Sequence, residues 1–192
     1  MNSPWLKKNG GMLDSDKHRA LIARRVEFAK DARIPDRFIW EPLPKAFTEE
    51  ETDYLQKFKS QRGKGYSGLL LTGSCAKMDP LTRFWVMAGF LVRNYVRARV
   101  YPLNEVTEVL NNGGNIEATC LLIPDFIVDQ KDKSNVKNWR VQQLTQFLIE
   151  RGSAGGTTQT VLYAPSVKAI ATEYGTYVAN VLKNHYLNVE VA

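Results

Sequence analysis

Between Gly73 and Pro80 the chain reads Gly-Ser-Cys-Ala-Lys-Met-Asp-Pro, directly after the apolar run Gly68-Leu-Leu-Leu-Thr. A buried strand that ends in glycine and opens into a helix is a place where a protein can hold phosphate. In the pattern GxxxxGK[ST], backbone N–H groups wrap the anion, a lysine neutralises it and a hydroxyl holds magnesium. Counted from Gly73, the chain has Ser74, Cys75, Ala76 and Lys77 at the free positions, then Met78 for the second glycine, Asp79 for the lysine and Pro80 for the hydroxyl. Methionine adopts positive φ less freely than glycine. Aspartate sets negative charge where a phosphate would lie, and proline removes a backbone donor together with the hydroxyl. Lys77 stands two positions early to take over the lysine's task, and Thr82 two positions late for the hydroxyl. Gly73, Lys77, Asp79 and Thr82, with Asp125 after a later apolar run, are therefore expected to form a vestigial nucleotide site, and no residue is assigned a catalytic role.

Other chemistry has little to build on. Cys75 and Cys120 have neither a second cysteine nor a histidine at metal-ligand spacing, and His18 and His185 lie near opposite ends of the chain. Zinc sites, disulfide frameworks and Ser-His-Asp hydrolysis are disfavoured, and no metal is expected. The net charge of +6 and a pI near 9.3 permit a nucleic acid or an acidic protein as partner. Arg93 and Arg97, four apart on an expected helix, and Arg99 beside them are the candidates for contacts to DNA backbone. A solvated helix end that complements the helix dipole explains the same arginines. Arg19, Arg24, Arg25 and Lys30 make a second basic face, better explained by solvation. Asp125 reads either as a strand-end residue capping a turn or as a remnant magnesium ligand, and Lys77 also reads as a solvated loop lysine.

The 192 residues, 44% hydrophobic and 24% charged, suit one α/β domain with a short extension. No apolar run is long enough to span a bilayer and none resembles a signal peptide, so a cytoplasmic protein without membrane contact is expected. Residues 1–12 read as a loose tail. Asp14 or Ser15 caps an expected helix to about Asp31, and Thr48-Glu-Glu-Glu51 is a capping box opening another to about Ser60. Strands are expected at Ser67–Gly73, Arg99–Tyr101, Ala118–Ile123, Gln159–Tyr163 and Leu187–Val191. Between them, Asp79-Pro80 opens a helix over Leu81–Arg97, and further helices cover Leu103–Leu110, Asn138–Arg151 and Glu173–His185. Alternating strands and helices predict a parallel sheet covered on both faces, with any ligand at the carboxyl ends of its strands.

On these residues the chain resembles the AAA+ domain of bacterial helicase loaders of the DnaC and DnaI type, and the related IstB-type ATP-binding proteins. The resemblance runs from Arg33-Ile-Pro35 to about Leu182. It includes Gly68–Gly73 before the P-loop, Leu121-Leu-Ile-Pro-Asp125 at Walker B, Phe147-Leu-Ile-Glu-Arg151 on the following helix and Thr160–Tyr163 at sensor 1. It implies a P-loop NTPase-like α/β fold over residues 61–192 behind a tail and helical extension over residues 1–60. The departures are consistent: Phe126 replaces the catalytic acid after Asp125, Pro165 falls near the sensor asparagine, and Asn180 takes the place of a late arginine. The expected function is that of a non-catalytic DNA replication accessory protein of phage or mobile-element type. It would bind the replicative helicase or a loader through residues 13–32, with single-stranded DNA as a further candidate ligand, no cofactor, and oligomerisation left open. Two rivals stand beside it: an active ATPase using Lys77, Thr82 and Asp125 with ATP and magnesium, and an interaction module unrelated to replication.

Overall fold

Five short segments hydrogen-bond into one sheet: β1 (Gly68–Gly73), β2 (Ala98–Val100), β3 (Cys120–Ile123), β4 (Gln159–Ala164) and β5 (Tyr186–Val191). Their spatial order is β2-β3-β4-β1-β5 and every pairing is parallel, as the alternating pattern predicts. The computed structural model describes residues 14, 16–61, 65–127, 138–153 and 157–192. The expected tail at residues 1–12 and the capping candidate Ser15 lie outside the described residues.

Burial on both faces explains why β1 is apolar at consecutive positions. Leu69 and Leu71 join Cys120, Leu122, Val161, Val189 and Val191 in one core. Leu70 joins Leu121, Ile123, Leu162, Ala164 and Tyr186 in a second core on the opposite face. The first face is covered by α2 (Arg25–Ala32), a 3-10 turn at Asp36–Ile39, α3 (Glu49–Gln56) and α5 (Pro80–Arg93), with α1 (Arg19–Ala23) and α4 (Phe58–Gln61) alongside. The second face is covered by α6 (Leu103–Asn111), α7 (Asn138–Ser153), α8 (Val167–Tyr174) and α9 (Thr176–His185). Leu21, Phe38, Tyr54 and Phe58 share the first core with β1, so the N-terminal helices and the sheet are packed as one body.

Local signals fix several boundaries. The capping box is present: Thr48 accepts from the Glu51 N–H, and the Glu51 carboxylate accepts from the Thr48 N–H. Asp79 caps α5 with Pro80 in its first turn. Gly89 lets α5 lie on the 3-10 turn, because a Cβ there would stand 1.9 Å from the Phe38 carbonyl oxygen.

Three expected helices differ in extent. The one from Asp14 or Ser15 is broken at Arg24 into α1 and α2, and the last, expected from Glu173, starts at Thr176 as α9, behind Gly175 and an unexpected helix, α8. The helix expected to reach Arg97 stops at Arg93. Tyr95 takes φ 58°, its N–H donates to the Val92 carbonyl, and the Val96 N–H reaches back to the Leu91 carbonyl. This is a Schellman ending without its usual glycine. Arg97 therefore leaves the helix, and the face shared by Arg93 and Arg97 does not exist.

Candidate functional site

β1 and β4 lie side by side, yet β1 continues through α5 on one face and β4 through α8 and α9 on the other. A crevice belongs at the carboxyl ends of two such strands. The loop from Gly73 to Asp79 follows the carboxyl end of β1, and hydrogen bonds lace it to its neighbours. The Tyr163 hydroxyl donates to the Gly73 carbonyl at 2.8 Å, and the Gly73 N–H donates to the Pro165 carbonyl at 3.2 Å. The Lys77 N–H reaches the Ala192 oxygen at 3.5 Å. Gly73 has φ 130°, and a Cβ on it would stand 1.9 Å from the Val191 carbonyl oxygen, so only glycine fits there. Cys75 is buried at φ 48°, and the Met78 N–H closes a turn onto its carbonyl. Burial raises its thiol pKa, which disfavours the nucleophilic thiolate.

At the start of α5 the carboxylate that meets the helix N-terminus belongs to the chain itself. Asp79 accepts from the Thr82 N–H at 2.9 Å, and a bond from the Thr82 side chain is the largest influence holding its carboxyl below the usual range. The Thr82 N–H, one of the donors left free at a helix start, is thus taken by an aspartate of the chain itself. Lys77 is exposed, with no ion-pair partner among the described residues.

Asp125 sits beyond β3 and accepts from the Leu103 N–H at 2.8 Å, capping the first turn of α6. Burial raises its carboxyl pKa, so the site resists carrying charge. Phe126 is fully buried; its N–H donates to the Tyr163 carbonyl, and its own carbonyl accepts from Tyr174 at 2.5 Å. The position after Asp125 is a core position.

No protein-family model matches the chain, and no curated protein matches it by sequence. Among solved structures, the chain is similar to the crystal structure of the DnaC helicase loader. The TM-score is 0.53 at 12% identity, over 79% of this chain and 93% of that one. The fold is AAA+-like. At that identity the likeness concerns the fold alone. Among the described residues, no helix is long and apolar enough to cross a membrane.

On the AAA+-like fold the candidate DNA-binding arginines have separate fates. Arg93 is 4% exposed and donates to the carbonyls of Ile39 and Glu41, both at 2.7 Å. Burial pushes its pKa down to about 10. That placement corrects the surface reading of Arg93: it fastens the 3-10 turn to α5. Arg97 pairs with Asp31 at 3.5 Å and Glu117 at 3.1 Å, and Arg99 pairs with Asp31. Arg151 is buried as well, donating to the carbonyls of Ile116, Ala118 and Gln159.

Sequence reading missed the strongest electrostatic feature beside this loop. Arg83 and Glu51, both fully buried, form an ion pair at 2.6 Å between α5 and α3. A signal was present: Arg83, Met87 and Leu91 are spaced by four along the buried face of α5, so an arginine occupies an apolar-stripe position.

Proposed function

We propose that this chain is a helicase-loader-like accessory protein of DNA replication, of phage or mobile-element type, that acts by binding and does not hydrolyse ATP. The observation that carries the reading is Asp79. Its carboxylate caps α5 at the position where a nucleotide phosphate is bound in a working loop, on a fold similar to that of the DnaC helicase loader. The residues present do not fit a triphosphate with magnesium. Lys77 is displaced from the lysine position, the Thr82 N–H is used by Asp79, and Asp125 caps the first turn of α6. The partner in this reading is the replicative helicase or another loader, and α1 and α2 at the start of the described chain are the surface offered to it. Arg93 is withdrawn from the DNA-contact set, and the charges of Arg97 and Arg99 are met by Asp31 and Glu117.

Two experiments test the reading. Calorimetry with ATP and magnesium is expected to show no affinity tighter than about millimolar, and a triphosphate held over Gly73–Pro80 would overturn it. A pull-down against a hexameric replicative helicase is expected to retain the protein with no nucleotide present. Retention only with ATP would return the chain to the ATPase class. The substitutions Met78→Gly, Asp79→Lys and Pro80→Thr together remove the named obstacles and are expected to restore some nucleotide binding without turnover, because Phe126 and Asn180 remain.

A further inference from the structure

Near one edge of the sheet two exposed glutamates, Glu49 and Glu50, lie over apolar side chains. β5 pairs with β1 on one side and with no described strand on the other. Beside it lies a groove of about 770 Å³, whose apolar floor is Phe47, Tyr66 and Leu187. Tyr66 is 39% exposed, one of few large apolar side chains left in solvent. The rim is acidic, formed by Glu49, Glu50 and Asp53. Asp53 is paired with Lys57, whereas Glu49 and Glu50 have no cation among the described residues of a chain whose net charge is +6. The capping box sets this arrangement: Glu51 turns inward to Arg83, and its two predecessors stay exposed. A helix N-terminus favours acids, but that preference does not account for an apolar groove beneath them beside an open strand.

We propose that this groove docks an extended, lysine- or arginine-bearing segment of a partner protein, laid along the β5 edge. An open edge accepts an added strand through backbone hydrogen bonds, and side-chain pockets beside it select the sequence. Here the floor takes apolar side chains, and Glu49 and Glu50 take cations. Phosphate-bearing ligands are repelled by the same acids. A second copy of this chain is disfavoured because edge-to-edge pairing sets Glu190 and the rim acids of the two copies close together, and like charges oppose such contacts. The inference adds a contact surface to the helicase reading, and its test requires no helicase, so the two can fail separately.

The probe is a fluorescein-labelled octapeptide of alternating lysine and leucine, with a glutamate–leucine octapeptide as control, followed by fluorescence polarisation on the full chain. The lysine peptide is expected to bind, more weakly as salt rises. The Glu49→Gln/Glu50→Gln variant, confirmed as folded by circular dichroism, is expected to lose about tenfold in affinity. Leu187→Ser should weaken binding too, through the floor and without a change of charge. Equal binding of the acidic peptide, unchanged affinity in the folded double variant, or no binding at low salt would each overturn the proposal.

Discussion

Helix α5 carries a buried arginine near each end, and the two are neutralised in different ways. Arg83 meets a carboxylate, Glu51, at 2.6 Å, with neither side chain exposed. Arg93 meets carbonyl oxygens at the end of the 3-10 turn and just beyond it, at 2.7 Å from both Ile39 and Glu41. The first arrangement joins two opposite charges, so removing either partner leaves the other charged inside the protein. The second spreads one charge over dipoles, so removing the arginine leaves neutral acceptors. What a buried cation contributes thus depends on what is left when it is gone.

The largest expected effect follows from the first case. Arg83→Met should destabilise the protein by about 3–5 kcal/mol in urea unfolding, because Glu51 stays buried without its cation. Adding Glu51→Leu should recover part of that loss. Recovery stays incomplete, since Glu51 also closes the capping box with Thr48. A single-variant loss under about 1 kcal/mol would mean that water reaches the pair. Arg93→Met should cost less, about 1–3 kcal/mol, for the unmet carbonyls. If the order of the two variants were reversed, the contrast between charge and dipole partners would fail.

The same contrast shows what was legible in the sequence. The five strands and the parallel sheet followed from apolar runs punctuated by glycine and proline, and Asp79-Pro80 and Thr48–Glu51 announced helix starts through chemistry local to a few residues. The end of α5 was not legible, because its left-handed position holds Tyr95 where glycine would have been a signal; Arg33 ends α2 in the same conformation. The departure of Met78, Asp79 and Pro80 from the pattern GxxxxGK[ST] could be read residue by residue. That Asp79 caps the helix it opens was read as well, from its place before Pro80. The surface reading of Arg93 failed because partners 52 and 54 residues away in sequence decide it. The pairing of Arg83 with Glu51 spans 32 residues, and no local pattern reports such a contact.

A smaller effect is expected at the loop. Asp79→Ala should cost about 1 kcal/mol through loss of the N-cap, whereas Asp79→Asn keeps an acceptor and should sit close to wild type at neutral pH. The Asp79 carboxyl is held below its ordinary value by Thr82. Its contribution is therefore fully present above the unfolded value near pH ~3.9 and is lost as pH falls through the lower folded one. Below about pH 4 the asparagine variant should gain on wild type in a thermal melt. A constant difference between the two down to pH ~2 would mean that the Thr82 bonds do not favour the charged form.

The smallest effect concerns Arg97, which lies beyond the end of α5. Its side chain is 47% exposed and lies between Asp31 and Glu117. Solvent screens such pairs, so Arg97→Gln should change stability by no more than about 1 kcal/mol. The same variant asks whether this surface meets nucleic acid. Each phosphate neutralised on a single strand adds about 0.7 to the slope of log affinity against log salt. Asp31 and Glu117 already balance the charges of Arg97 and Arg99. The slope for a single-stranded oligonucleotide, read by gel shift at low and moderate salt, should therefore be the same in wild type and Arg97→Gln. A fall of about 0.7 in the variant would place Arg97 on the DNA and would mean that Asp31 and Glu117 release it when the strand arrives.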